Sequence, residues 1–231
     1  MLILDKFKFD HPELNFSRLR GTHRRAFYDP FYIECRANGS LIQQGLNGRI
    51  TPFCYGWIEV SKSAELQVAK RFDIHPFPWN RPDSARDQKI RGILFEWKEG
   101  KPLSQVPINA NIAAQARASL RALHSAQITH GALAAANFLV RGESPNQQVC
   151  LLDLSASISL PHVKFSEEDL KDIQQQELLL LEVAFELLSR LSINQGVSVS
   201  ELSADGQAFL DKESQFIQHL WAPPQPTCWQ G

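Results

Sequence analysis

The sequence predicts an α+β protein in which a small sheet lobe precedes a mainly helical lobe. Short apolar runs of strand length dominate the early part of the chain, whereas helical periodicity dominates beyond residue 110. A hydrophobic fraction of 43% over 231 residues is enough for a buried core and is unlike that of a disordered chain. We therefore expect one large domain or two small lobes that share a cleft.

Apolar runs predict three strands in the sheet lobe, at residues 1–9, 53–60 and 91–97. A helix is predicted from Phe31 to about Gln44, because the preceding Asp29-Pro30 pair can cap and start a helix and Gly45 can end it. Residues 61–87 hold many charges and a Pro-Phe-Pro sequence, so we expect a surface insertion there.

The second half predicts two helices with a hairpin between them. Residues 111–126 are rich in alanine and helical in period. Two apolar runs, 138–140 and 149–152, are joined by a stretch with strong turn chemistry, which is typical of a hairpin. Ser166 and Asp169 form a capping-box pattern at the start of a long, leucine-rich helix.

Charge and cysteine content exclude several classes of function. The chain carries 24 Lys plus Arg against 25 Asp plus Glu without a basic block, so we expect neither a nucleic-acid nor a membrane partner. Its 4 cysteines are scattered, which predicts reduced thiols and no zinc site. The N-terminus does not resemble a signal peptide, and the most apolar run, 178–188, is too short to span a membrane. We expect a cytoplasmic or nuclear protein that is not secreted.

The predicted hairpin brings two oxygen-bearing side chains to one end of a sheet. Asn137 precedes its first strand and Asp153 follows its second, so the two residues should be neighbours. An amide oxygen and a carboxylate are suitable ligands for Mg²⁺. The alternative is that Asn137 is a turn residue and Asp153 a strand-end cap, which explains each of them singly.

Two stretches of the sequence resemble the catalytic and metal-binding loops of the protein-kinase-like superfamily. They are L-H-x5-H-G-A-L-A-A-A-N-F-L-V at 123–140 and L-L-D-L-S at 151–155. Residues 91–103 resemble the hinge between kinase lobes. Residues 29–48 are similar to the αC region of small kinase-like proteins found in fungi.

The resemblance implies a bilobal kinase-like fold. Residues 1–97 would form a partial N-lobe and 98–221 the helical C-lobe, followed by a proline-rich tail at 222–231. Because the chain begins at the position of the family's third strand and has no glycine-rich loop, we expect an N-terminally truncated sheet lobe.

The resemblance also implies a site for Mg²⁺ and ATP. Carried over position by position, it assigns metal binding to Asn137 and Asp153, adenine contacts to the backbone of Glu96 and Trp97, and orientation of the loop to His130. Lys6 would be the phosphate-binding lysine, and Glu34 the αC glutamate that pairs with it. Lys8 is an alternative to Lys6, and the simplest alignment places Asp5 at the lysine position. Glu34 could equally lie on a solvated helix face, and His130 could be a core histidine.

Ala132 decides the expected activity. It occupies the position of the kinase aspartate that accepts the substrate proton, and a methyl group cannot replace a general base. We therefore expect a catalytically impaired, pseudokinase-like domain that retains Mg²⁺–nucleotide binding and acts by binding. The alternatives are an active ATP-dependent phosphotransferase without the usual base and a ligand-free module for an unidentified protein partner. For the last, Trp79, Trp221 and Trp229 would mark the partner surface.

Overall fold

The computed structural model describes residues 2–4, 27, 29–71, 89–143 and 145–193. Several predicted features lie outside these ranges: residues 5–9, including Lys6 and Lys8, the segment 72–88 with Trp79, and the C-terminal region with Trp221, Cys228, Trp229 and the tail 222–231.

Four helices and two three-stranded sheets make up the described part of the chain, which confirms the α+β class. In chain order the elements are β1 (Leu2–Leu4), α1 (Pro30–Gln43), β2 (Cys54–Val60), α2 (Lys62–Arg71), β3 (Ile90–Phe95), β4 (Lys101–Pro102), α3 (Ala110–Ser125), β5 (Phe138–Arg141), β6 (Gln148–Leu151) and α4 (Glu167–Ile193). Short 3₁₀ turns lie at Leu103–Gln105 and Ala135–Asn137. None of these helices is long and apolar enough to cross a bilayer.

The first sheet has the strand order β1-β3-β2, with both pairs antiparallel. A register shift between Cys54 and Gly56 interrupts the β2–β3 ladder. One face of this sheet packs on α1 through a small apolar cluster of Phe31, Cys54, Ile93 and Phe95. The strands predicted at 53–60 and 91–97 are therefore confirmed.

Helix α1 begins and ends at the predicted signals. The Asp29 carboxylate accepts a hydrogen bond from the Phe31 N–H at 3.0 Å, and Pro30 occupies the first turn. At the other end Gly45 has a φ of +70°. The Leu46 N–H donates to the Leu41 carbonyl at 2.8 Å, a pattern that satisfies the last carbonyls of the helix.

The second sheet has the order β4-β5-β6, and its β5–β6 hairpin confirms the prediction, with Phe138 opposite Leu151. Helix α3 packs against β6, where the Ser119 hydroxyl donates to the Val149 carbonyl at 3.1 Å. The main hydrophobic core lies between α3, this hairpin and α4, and it includes Leu120, Phe138, Leu151, Leu181 and Phe185.

The long helix α4 starts at the predicted capping box. The Asp169 N–H donates to the Ser166 hydroxyl at 3.2 Å, and the Asp169 carboxylate accepts from the Ser166 N–H at 2.8 Å. Buried side chains of α4 at Leu170, Leu181 and Phe185 face the core.

The expected surface insertion at 61–87 contains a helix that the prediction missed. Helix α2 has Glu65 in its first turn and Lys70 and Arg71 in its last, which complements the helix dipole. The buried Glu65 carboxylate pairs with the Lys62 ammonium at 3.2 Å.

Candidate functional site

A buried carboxylate on α4 holds the loop that follows α3. Glu177 Oε2 accepts from the His130 N–H at 3.1 Å and lies 2.7 Å from His124 Nε2, while Oε1 accepts from the Gly131 N–H at 2.6 Å. The Gln174 side chain adds a bond to the His124 carbonyl at 3.0 Å. Three polar groups of this loop and of the end of α3 thus bond to the Glu177 carboxylate, and the loop geometry depends on it.

His130 lies inside this loop and is fully buried. Its Nδ1 accepts a hydrogen bond from the Ala132 N–H at 3.4 Å, and its ring stacks on Phe138 with 6.3 Å between centroids. Burial lowers the pKa of His130 below its ordinary value, so the neutral imidazole is favoured. The environment is that of a core histidine which shapes the loop.

The predicted metal ligands lie at the same end of the hairpin. The Asn137 amide donates to the Ala132 carbonyl at 2.9 Å, and the Asn137 carbonyl accepts from the Leu152 N–H at 2.8 Å. Asp153 has a φ of +59°, and its carboxylate accepts from the Ser155 N–H at 3.1 Å. Both side chains therefore have local structural partners.

No group of three or more His, Cys, Asp or Glu side chains suited to a metal ion occurs within the described ranges. The half-buried Ala132 supplies only backbone groups to its neighbours. Binding of Mg²⁺ and ATP at Asn137 and Asp153 stays a prediction.

Glu34, on the inner face of α1, is 1% exposed. Its Oε1 accepts from the Leu154 N–H at 3.2 Å, whereas its Oε2 has no hydrogen-bond partner among the described residues. Burial, reinforced by the nearby Asp153 carboxylate, raises the pKa of Glu34 to about 8, although the Leu154 N–H acts in the opposite direction. The sequence left open a solvated position for Glu34, and the structure places this residue in the interior.

The segment after β3 is anchored to β2 through Glu96. Its N–H donates to the Phe53 carbonyl at 2.8 Å, and its carboxylate pairs with the Lys98 ammonium at 2.9 Å. The next residue, Trp97, is 72% exposed. An open groove of about 280 Å³ lies beside it, lined by Pro52, Glu96, Trp97, Gly100, Leu139 and Leu152 among others.

Large aromatic side chains are exposed along β2 and at the end of β3. We call three of these residues the aromatic surface: Phe53, Tyr55 and Trp97. The rings of Phe53 and Tyr55 are 5.1 Å apart. Trp57 is also exposed, but it lies opposite Ile93 in the β2–β3 ladder and meets Phe31 edge-on at 6.1 Å, so it belongs to the face of the sheet that packs on α1. Tyr55 is 64% and Trp57 58% exposed, so most of their apolar area faces outward.

Substitution of Glu177 by glutamine is expected to lower the free energy of unfolding by about 2–3 kcal/mol, because one oxygen that accepts backbone N–H groups is replaced by a donor. Urea denaturation measures this change. Glu182→Gln is the matched control on the same helix, since the Glu182 carboxylate pairs with Arg117 at the surface. Equal losses in the two variants would show that Glu177 does not hold the loop.

A comparison with known families gives a match to the larger part of the chain. The family model of the kinetochore Sim4 complex subunit FTA2 matches residues 8–157, well over half of the chain. No curated protein matches the chain significantly.

This match overturns the family that the motifs suggested. FTA2 is not the protein-kinase-like superfamily, so the prediction of a kinase-like protein is wrong, and with it the pseudokinase function and its phosphotransferase alternative. The residues that carried the resemblance instead have local structural roles, as the bonds of Gly131, Asn137 and Asp153 show. The chain belongs to the FTA2 family of kinetochore Sim4 complex subunits.

Proposed function

We propose that this chain works as a protein-binding subunit of a kinetochore complex and that the aromatic surface contacts another subunit. The family description supports the first part, because it names a complex subunit. The observation that carries the second part is the exposure of Tyr55 in β2 and of Trp97 two residues after β3, with Phe53 in contact with the first and bonded to the segment of the second.

Aromatic side chains at such positions are suited to anchor a partner. Tyrosine and tryptophan are enriched among the residues that dominate interface energies, since each buries a large apolar area with few rotatable bonds. Single exposed apolar residues are ordinary on protein surfaces, but adjacent aromatic ones form a patch. The Phe53 ring contacts Tyr55, and the Phe53 carbonyl accepts from the Glu96 N–H, so Phe53, Tyr55 and Trp97 lie at the same end of the β2–β3 pair.

The charges beside the aromatic surface favour a largely apolar partner segment. Glu59 pairs with Lys89 at 2.5 Å, and Glu96 pairs with Lys98 at 2.9 Å. In each pair the two charges balance each other within the chain. The pairs can therefore form a polar rim around the aromatic surface, but they do not attract a strongly charged partner. The neighbouring groove of about 280 Å³ has room for one or two apolar side chains of a partner.

Two further features belong to the same proposal. A nuclear location follows from the role at the kinetochore. We also propose that the chain divides into two lobes after residue 97. The aromatic surface then belongs to the sheet lobe, and the loop held by Glu177 belongs to the helical lobe.

Tyr55→Ser combined with Trp97→Ser is expected to weaken binding to the other Sim4 complex subunits by roughly several hundred-fold, because each lost anchor typically costs about 2 kcal/mol. Co-expression of tagged chain with the complex subunits, followed by affinity purification and titration, measures the loss. The melting temperature should stay close to that of the wild type, since both side chains are mostly exposed.

Leu179→Ser is the matched control, because Leu179 is 48% exposed on α4 and lies outside the aromatic surface. This variant should bind as the wild type does. Undiminished binding by a folded Tyr55→Ser, Trp97→Ser double variant would refute the proposed surface. The single Trp97→Ala change gives a second measurement if the double variant fails to fold.

A further inference from the structure

Strand β2 lies at an open edge of the first sheet. The order β1-β3-β2 gives it one neighbour, β3, and no strand in the described part of the chain pairs with its other side. An edge strand presents backbone N–H and C=O groups that can pair with another chain, and proteins usually cover or interrupt such edges. An open edge of seven residues therefore indicates a place for an added strand.

The backbone groups on the open side can be identified from Cys54. Its N–H donates to the Asn47 side chain at 2.8 Å, and its carbonyl accepts from that side chain at 3.2 Å, so both groups point away from β3. Cys54 and Trp57 lie on the same face of the sheet, because both are opposite residues of the apolar cluster that packs on α1. Residues on one face of an antiparallel strand direct their backbone groups to the same side. The N–H and C=O groups of Trp57, and of Glu59 two positions later, therefore point to the open side.

These outward groups are accessible to a partner. Among the residues that the structure describes, no backbone group outside the sheet bonds to Trp57 or Glu59. The side chains along the same stretch, Tyr55, Trp57 and Ile58, are exposed. Both the backbone and the side chains of this edge are thus presented to the exterior.

The open stretch is short because both of its ends are closed. At the start of β2, the Asn47 side chain occupies the position that a neighbouring strand would take beside Cys54. At the other end the chain enters helix α2 at Lys62. The space between them has room for a segment of about five extended residues.

We propose that the outer edge of β2 accepts a short extended segment of another complex subunit as an added β-strand. Its backbone would pair with the outward N–H and C=O groups of Trp57 and Glu59, which is a recurring mode of peptide recognition. Because Lys89 balances the charge of Glu59, an uncharged, largely apolar segment fits this edge best. The inference rests on the proposed function, since it describes how a subunit would bind beside the aromatic surface.

A second copy of the chain fits the open stretch less well. If Trp57 paired with Glu59 of the copy in an antiparallel arrangement, Lys62 would lie opposite Cys54, where Asn47 already occupies the edge. If Glu59 paired with Glu59 of the copy, two like charges would face each other. A segment without bulky elements at its ends avoids both conflicts.

Glu59→Pro compared with Glu59→Thr tests the backbone contact. Proline lacks the outward N–H, and its ring would meet the added strand, but the ladder with β3 does not use this N–H. Glu59→Thr loses the same side chain and keeps the N–H. In titrations with the other Sim4 complex subunits, Glu59→Pro should bind at least about tenfold more weakly than Glu59→Thr. Equal affinities of the two folded variants would overturn the proposal.

Hydrogen exchange of the wild-type chain provides a second test that needs no variant. The amides of Ile58 and Val60 lie in the ladder with β3 and should be protected with and without the partner subunits. The amides of Trp57 and Glu59 should exchange fast in the free chain and at least about tenfold more slowly in the complex. Unchanged exchange of these two amides would contradict strand addition. Protection that increases with the concentration of the free chain would assign the edge to a second copy, which also overturns the proposal.

Strand addition and the aromatic surface can fail separately. If the Tyr55→Ser, Trp97→Ser variant loses binding whereas Glu59→Pro binds as Glu59→Thr does, the aromatic surface is supported and the added strand is wrong. If Glu59→Pro alone loses binding, the edge of β2 is supported and the aromatic surface is wrong.

Discussion

Replacement of Gly131 by alanine is expected to destabilise the fold by about 4 kcal/mol or more. A Cβ at this position would lie 2.0 Å from the Ala156 carbonyl oxygen, and the φ of Gly131 is +75°. The loop cannot move away easily, since the Gly131 N–H donates to the Glu177 carboxylate at 2.6 Å. The segment that contains Ala156 is also held in place, because the Thr129 N–H donates a hydrogen bond to the Ile158 carbonyl at 2.9 Å. Urea denaturation followed by circular dichroism measures the loss.

Gly45→Ala separates the steric contact from backbone strain. Gly45 has nearly the same φ, +70°, but no atom lies within 4 Å of the position of its added Cβ. This variant should therefore lose only about 1–2 kcal/mol, the ordinary cost of a left-handed conformation for an L-residue. Similar losses at Gly45 and Gly131 would contradict the role assigned to the Ala156 contact.

Features that depend on neighbours in the sequence were predictable. The Asp29 cap, the Gly45 terminus of α1 and the Ser166–Asp169 capping box each involve residues a few positions apart. The β5–β6 hairpin also follows from local turn chemistry. Helix α2 was missed because the charges and prolines of residues 61–87 suggested an insertion. The acidic residue in its first turn and the basic residues in its last turn nevertheless favour a helix, since they complement the helix dipole.

Glu177 could not be found from local patterns, because its partners lie far away along the chain. It is separated by 53 residues from His124 and by 46 residues from Gly131. One signal was available: Glu177 lies in line with the buried α4 residues Leu170 and Leu181, and a carboxylate on an apolar helix face must find polar partners. The partners themselves required the tertiary structure.

The kinase resemblance was misleading for a related reason. Its motif residues have roles that need no nucleotide: Gly131 allows a positive φ, Asn137 bonds the Ala132 carbonyl, and Asp153 accepts from the Ser155 N–H. A glycine, an amide and a carboxylate at these spacings are explained by a loop followed by a hairpin. Residue types shared with a catalytic site therefore did not establish the function, which depends on the site as a whole.

Glu34→Gln is expected to remove a pH-dependent loss of stability from the metal-free protein. Since the pKa of Glu34 is raised to about 8 in the folded state, its ordinary value of 4.5 applies only to the unfolded chain. Between these two pH values the unfolded state releases the proton while the folded state keeps it, so the free energy of unfolding falls as pH rises. The loss is absent below pH 4.5, complete above pH 8 and worth roughly 4–5 kcal/mol in total.

The measurement is urea denaturation of the wild type and Glu34→Gln in EDTA at several pH values between 5 and 8. The stability difference between them should grow in favour of Glu34→Gln as pH rises, because all other titrations are common to both proteins. Glu96→Gln is the control: because Lys98 lowers the pKa of Glu96, this exposed carboxylate is ionised in both states over the whole pH range, so the difference between wild type and Glu96→Gln should not change with pH. A difference between wild type and Glu34→Gln that does not change with pH would show that the Glu34 carboxyl keeps its ordinary pKa in the folded protein, which would contradict this prediction.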